Sequence, residues 1–591
     1  MPIDLLRDSV FGQLVNYASK GKLLPYEDQK PGYVVPARYL LPSPPTTTSP
    51  SSSPSSSASS SPSLRDSAAL PTSRTISQSN TLVSPPETLV NQNGICKQIG
   101  NESDDKLRKE VDVEKNEEPL GDVQSYPYLV TFEENDQDRP LNWSDGKRAF
   151  VGSLIGLLTF CVYIGSAIYT PSIPGLMEDL GASQVLATAG LSLFVCFYGI
   201  GPMLLAPMQE VPSIGRNPVY IAGMFLYVIF QIPPLFANGM AVILVFRAAA
   251  GFVGSPALAT GGASIGDLYM GPYYAVALSG WSICAVLGPI AGPVIGGFAA
   301  QANGWKWTFL ELLWISAFGF IVLFFLLPET YEDTILLRRA QRLRKLTGND
   351  RIKAPSELGK NAHESVGFIV WENMYRAIRL CLEPSILVAN TYLALCYAIF
   401  YLWFEAFPIV FTEQHHFNLG LSGLPFLGFV VSGTITVICY IWYQLRIVNP
   451  HLTANPDTPP EYRLRVAIFA AICIPISLFG FGWTAQTHQH WMLPIVFAAI
   501  YLPGIFLAFQ SIMMYVALSY PKYAASVLAG NDLFRSVIAS AFPLFGAKYF
   551  SALGLGGGSS LLAGVSIIMI PILYAIMKYG GLLRARSNFA E

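Results

Sequence analysis

Very few ionisable side chains interrupt the long apolar stretches of this chain, and any chemistry has to involve those few. Arg247 lies well inside "VFRAAAGFVGSPALATGGASIGDLY" and Glu405 inside "YLWFEAFPIVF". Placing a charge at mid-bilayer costs about 2.5 to 3.5 kcal/mol on insertion scales, so each needs a partner or a task. Glu405 stands amid Tyr397, Tyr401, Trp403 and Phe404. A carboxylate withdrawn from water by such rings is suited to loading and releasing a proton, which makes Glu405 the first candidate proton carrier. The alternative is an interfacial glutamate in contact with water. Arginine does not titrate at physiological pH, so Arg247 either tunes a partner or is a structural group satisfied by backbone carbonyls.

A second group lies in "AGNDLFRSVIASAFPLFGA", where Asn531 and Arg535 are one helical turn apart and Asp532 is three residues before Arg535, close enough to pair. Such a pair either gates a pathway or only neutralises itself; a conformational role is expected for Asp532 and Arg535, and a substrate contact for Asn531. Gln510 is a further polar contact in an apolar run. Asp267, close to the end of its run, either assists proton release or caps the next segment. Tyr397, Tyr401 and Phe404 are spaced i, i+4, i+7 and share one helical face. Aromatic faces suit flat lipophilic or cationic molecules, and they also serve as ordinary core packing.

Other chemistries find little footing. His415-His416 and His488-Gln489-His490 have no cysteine or carboxylate cluster beside them, so no metal site is expected. Six of the eight cysteines fall in apolar runs and two, Cys96 and Cys381, in polar segments, which implies no disulfide framework. There is no GxxxxGK[ST] phosphate loop and no nucleophile-base pair, so neither nucleotide-driven work nor catalysis is expected, and no cofactor is implied. A formal net charge of −2 lacks the basic footprint that nucleic acid requires.

The elements that position these residues follow from composition. The 591 residues are 52% hydrophobic and 13% charged, against about 25% charged in soluble domains, so the chain is an all-α polytopic membrane protein. After "RPLNWSDGKR" come about twelve apolar stretches between residues 149 and 578, each near the 20 residues needed to cross the hydrocarbon. Lys and Arg collect in alternate loops, including Arg216, Arg446, Arg463, Arg465, Lys522 and "LRRAQRLRKLTG", and at Lys578, Arg584 and Arg586. That asymmetry places both termini in the cytosol. The expected organisation is a largely disordered cytoplasmic tail at 1–147, a six-helix half at 148–330, a cytoplasmic loop at 331–384, a second six-helix half at 385–579 and a short tail at 580–591. Two equal halves suggest an internal repeat and alternating access. "CVYIGSAIYTPSIP" and "CYAIFYLWFEAFPIV" support it, since both begin with Cys and an early Tyr and end in an aromatic residue and a proline. The tail's "LPSPPTTTSPSSSPSSSASSSPS" and its charge run at 101–119 are too polar to bury a core.

"GWSICAVLGPIAGPVIGGF" is a spanning stretch rich in helix breakers. Gly280, Cys284, Gly288, Gly292 and Gly296 recur every fourth residue and form one smooth stripe for a neighbouring backbone. Pro289 and Pro293 remove the donors that would reach the carbonyls of Ala285 and Pro289, so the helix is expected to bend and act as a hinge between two moving halves.

"GPIAGPVIGG" resembles the fifth-span antiporter motif of the major facilitator superfamily. "GPMLLAPMQEVPSIGRNPVYI" looks like that family's signature between spans two and three, with Glu210, Gly215 and Arg216; Glu210 stands where an aspartate nearer the Gly-Arg pair is usual, which weakens its pairing with Arg216. "VFRAAAGFVGSPALATGGASIGDLY" resembles the fourth-span motif, and through it Arg247 is implied in proton coupling. "GWKWTFLELLW", "LPETYEDTILLRRAQRLRKLTGND", "YLWFEAFPIVF" and "AGNDLFRSVIASAFPLFGA" are similar to the fungal azole, benomyl and cycloheximide resistance permeases. The resemblance covers about residues 126 to 589 and the opening "LLRDSVFGQL". It implies the major facilitator fold, with 12 transmembrane helices in two six-helix halves, and a plasma-membrane monomer exporting a small lipophilic drug or toxin in exchange for protons. The rivals are a proton-coupled or facilitative nutrient importer and a transport-dead nutrient sensor.

Overall fold

Apolar residues on every side of a stretch, with backbone groups that find no water in hydrocarbon, leave the α-helix as the spanning form, and the computed structural model consists of such helices. It describes residues 2–19, 21–40, 126–358, 365–455, 458–486, 488–520, 523–585 and 587. The Ser/Pro tract, the charge run at 101–119, Cys96, Lys522 and Arg586 lie outside the described residues. Two short helices, α1 (Pro2–Asp8) and α2 (Val10–Ala18), precede the spans. The first set of long helices is α3 (Asp145–Ala167), α4 (Gln184–Gln209), α5 (Arg216–Phe230), α6 (Met240–Gly254) with its continuation α7 (Gly261–Leu268), α8 (Pro272–Asn303) and α9 (Lys306–Leu326). Then come α10 (Glu332–Thr347) and α11 (Val366–Cys381). The second set is α12 (Pro384–Phe407), α13 (Leu427–Tyr443), α14 (Leu464–Thr484), α15 (Tyr501–Ser519) and α16 (Ala524–Ala585).

Eleven stretches among the described residues are long and apolar enough to cross a membrane. The last, Ser526–Ala585, has 60 residues, about three times what one crossing takes. Gly554, at φ 69° and ψ 163°, breaks it into two helices, which reconciles eleven stretches with the expected twelve spans. Large apolar side chains such as Phe318, Val431, Trp442 and Ile568 point outward, as a lipid-facing surface requires.

Within the first set α8 packs along α3 and α6 along α4; within the second, α16 packs on α12 and α14. The sets meet where α4 lies against α16 and α8 against α13. These two contacts exchange under the internal repeat, each joining the second span of one set to the fifth of the other.

The glycine stripe departs from the hinge expectation. The positions a Cβ would take at Gly288, Gly292 and Gly296 fall against Tyr163, Ala167 and Ile168 of α3 or just beyond it, and the Cys284 sulfur fills the space at Gly156. The stripe is therefore a seam inside the first set, whereas Gly280 faces open space. α8 also stays helical through Pro289 and Pro293. It is the other side of α8 that touches the second set: the Pro293 carbonyl abuts Gly423, and the Leu419 carbonyl stands 2.8 Å from where a Cβ on Gly297 would be.

Residues 2–40 depart from the expectation of a disordered tail. They fold over α9 and α10, with Phe11 against Phe324 and Phe325 and Ser9 bridged to Pro328. The reason is α10, whose basic run reads in sequence only as a topology signal. Its arginines each find an acid: Arg338 with Glu329 (3.8 Å), Arg339 with Asp136, Arg342 with Asp28 (2.7 Å) and Arg344 with Glu357 (2.9 Å). Its apolar face, Leu336, Leu337, Ala340 and Leu343, builds a small second core with Tyr39, Val130 and Ile352. Asn349 seals it by donating to the Tyr39 carbonyl at 3.0 Å. Asp28→Asn should remove the charge from a largely buried pair worth about 1.5 to 3 kcal/mol. Limited proteolysis of the solubilised protein is expected to cut within residues 2–40 about tenfold faster, with the unfolding midpoint of the spans unchanged.

Candidate functional site

Two tyrosines define the centre. Tyr163 of α3 and Tyr397 of α12 meet hydroxyl to hydroxyl across the two helix sets, and Tyr401 lies 3.4 Å from the Tyr397 oxygen. Arg535 of α16 is paired with Asp532 one turn away, Nε to Oδ1 at 3.0 Å, and its guanidinium stacks over Tyr397 (5.0 Å) and Phe509 (4.8 Å). Pairing and ring contacts together make a buried arginine tolerable. Gln510 of α15 donates to Ser282 of α8 at 2.7 Å, a second link between the sets. Against Tyr163, Tyr397, Gln510 and Arg535 lies a cavity of about 620 Å³ of free space, part of it open to solvent, walled mainly by Trp281, Phe400, Leu502, Phe506 and Phe509. Apolar walls with a few convergent polar groups are the make-up of a small-molecule site.

Glycines allow the helices to close around this cavity. The Ser536 side chain and the Asp532 carbonyl crowd Gly199 where α4 meets α16, and α8 meets the segment before α13 through Gly297 and Gly423. We call the end bearing residues 2–40 the terminal end and the opposite one the distal end.

Arg247 is buried in a nest of backbone. It donates to the carbonyls of Gly190 (3.1 Å), Gly165 (2.7 Å) and Ser166 (3.4 Å) and lies between the rings of Tyr169 and Phe194. This is the carbonyl-satisfied arrangement; no carboxylate among the described residues bonds it. Asp267 is not free either. It holds Arg216 with two bonds, at 2.6 and 3.2 Å, and accepts from Thr330 at 3.0 Å. Arg216 is thus paired with Asp267, and Glu210 makes no ion pair among the described residues; burial pushes the Glu210 carboxyl up.

Glu329, in "LPETYEDT", completes this cluster at the terminal end. Its carboxylate accepts from the backbone N–H of Arg216 (3.0 Å), Asn217 (3.4 Å) and Tyr331 (3.2 Å), and so caps the positive end of α5. Burial pushes its carboxyl up, with Arg338 and those N–H groups opposing. Gly215 is the position that permits it: its φ is 84°, and a Cβ there would meet Glu329 Oε2 and the Thr334 hydroxyl.

Glu405 is buried on α12 with no hydrogen bond or ion pair among the described residues, its stem against Gly546. It lines a second, distal cavity together with Phe404. The shared face of Tyr397, Tyr401 and Phe404 therefore runs from one cavity to the other. Asn531 lies outside the lining; its amide donates to Asn390 at 2.6 Å and ties α16 to α12.

With this geometry in view, residues 155–543 match the model of the Major Facilitator Superfamily. The chain belongs to the major facilitator superfamily. It is 37% identical to a cycloheximide resistance protein of Candida maltosa over 99% of both chains. It is also 37% identical to fluconazole resistance protein 1 of Saccharomyces cerevisiae, over 77% of this chain and 84% of that one. Among solved structures, the human organic anion transporter MFSD10 aligns at a TM-score of 0.51 and 15% identity, covering 73% of this chain and all of the other, a likeness of fold alone.

For a major facilitator protein the sequence reading missed three residues. Tyr163 was signalled by the paired Cys and Tyr of the first and seventh spans, and Ser282 by its place beside the small-residue stripe. Glu329 had only its proline neighbour to mark it. Gly215→Ala is expected to destabilise the protein by about 1 to 3 kcal/mol, through positive φ and the displaced Glu329 carboxylate. A lowered thermal unfolding midpoint of the solubilised protein, with less protein at the membrane, would register it.

Proposed function

We propose that this protein is a secondary active exporter that carries lipophilic drugs or toxins out of the cell in exchange for protons entering. The observation that carries the reading is the apolar, ring-walled cavity between two helix sets, in a chain similar along its whole length to a cycloheximide resistance protein. Its relatives' names support azoles and similar xenobiotics as substrates. Gln510, Tyr397 and Phe509 face the drug. The helix sets at 148–330 and 385–579 rock about the Tyr163–Tyr397 contact, and the cluster of Arg216, Asp267 and Glu329 closes the terminal end. Glu405, buried and without a hydrogen bond or ion pair among the described residues, carries the proton. The protein acts as a monomer in the plasma membrane with both termini in the cytosol, so the terminal end is the inner one. It performs transport rather than catalysis.

In yeast lacking its own pumps, the protein is expected to lower accumulation of a fluorescent lipophilic dye, with a protonophore restoring the control level. Glu405→Gln should remove most of the difference with the protein still at the surface. Unchanged accumulation across a broad compound panel would sink the exporter reading, and export that survives both protonophore and Glu405→Gln would sink the proton exchange.

A further inference from the structure

We propose that the distal cavity is a binding site for lipophilic monocations, separate from the central one. The proposal deepens the export reading by assigning a charge class to a second site. The cavity holds about 1280 Å³ of free space, part of it open at the mouth, between the end of α3, α8, α12 and the start of the α13 region. Its floor is Phe404, Glu405, Pro293 and Phe426, all buried, with the Phe404 and Phe426 rings stacked at 5.2 Å. At its mouth stand Glu178 and Glu413, both exposed. Lysine and arginine are absent from its lining.

Glu405 is the decisive group. Only 9% of it is exposed, it faces the cavity, and it makes no hydrogen bond or ion pair among the described residues. A buried carboxyl in that condition holds either a proton or, once ionised, a counter-charge from outside the protein. A metal ion is a poor candidate, because no three acidic, histidine or cysteine side chains among the described residues come close enough together to hold one. An organic cation suits both features, with its charge at Glu405 and its apolar body on the phenylalanine faces. Glu413 and Thr412 reach the cavity from Pro408–Gln414, where α12 widens into a π-helical turn, a distortion common at functional sites. The central cavity offers no such unpaired carboxylate, since its one charged lining group, the guanidinium of Arg535, is already neutralised by Asp532. Neutral compounds belong there, whereas cations gain by moving to the distal site.

The test uses the full chain with Met177→Cys, a half-exposed lining position, expressed in yeast and labelled with a membrane-impermeant maleimide. The unsubstituted chain provides the background labelling. In permeabilised cells, tetraphenylphosphonium is expected to slow labelling at least about threefold near saturation, since protection follows occupancy, and a neutral azole is expected to leave it unchanged. Glu413→Gln should raise the half-protecting concentration about two- to fivefold and Glu405→Gln about tenfold or more, as for an exposed and a buried ion pair. Equal protection by the neutral azole, or protection indifferent to both substitutions, overturns the proposal. Intact cells separate it from the export reading: labelling from outside confirms that the distal end is external, whereas labelling only after permeabilisation inverts the orientation and leaves the site to be judged by protection alone.

Discussion

The last turn of α3 and the residue that follows it, 163 to 168, are held from two sides, and the rest of the molecule depends on that grip. On one side Gly288, Gly292 and Gly296 of α8 let backbone touch backbone. On the other, Arg247 draws in the carbonyls of Gly165 and Ser166. Lipid gives helices no hydrophobic push toward one another, so close approach and hydrogen bonding have to supply the cohesion. Gly165 takes part in both respects, because a Cβ there would collide with the Tyr227 hydroxyl. Fixed in this way, α3 presents Tyr163 to Tyr397 at the join between the two sets.

The two ends of the bundle are closed by different physics. At the terminal end the closure is ionic and capped: Arg216 with Asp267, Glu329 on the α5 N-terminus and the arginines of α10 each with an acid. At the distal end it is steric, with glycines of α8 and of the segment before α13 packed against carbonyls, beside a cavity of carboxylates and rings. Ionic contacts close to water respond to charge and to salt, whereas a glycine seam responds only to shape. Under the proposed rocking, such unlike ends would let the bundle be driven from one side without loosening the other.

Much of this was legible in the chain. Hydropathy gave the spans, and the three-residue spacing of Asp532 and Arg535 gave their pair. The small-residue stripe was correctly seen as a packing surface, but its partner was misjudged, because a sequence shows which face is smooth and not which helix lies on it. The family signature pointed Arg216 toward Glu210 while its displaced position weakened that pairing, and the partner of Arg216, Asp267, is brought in by the fold from the end of α7. Residues 2–40 were counted with the disordered tail because their core is borrowed: Tyr39 packs on apolar residues of α10 with Val130 and Ile352, and Asp28 pairs with Arg342 of α10. The Asn531 amide similarly meets Asn390 on a different helix.

The single non-helical residue in α16, Gly554, leaves almost no slack between the last two spans. One arm carries Asp532 and Arg535 into the core, and the other ends where Arg584 grips Glu461 at 2.9 Å. Across the bend, Tyr549 donates to the Gly558 carbonyl at 2.7 Å and braces the corner. The two arms thus behave as a bell-crank, a rigid elbow pivoting at the distal surface. A tilt of the inner arm beside Tyr397 would reach the Arg584–Glu461 contact at the end of the outer arm with no loop in between to absorb it.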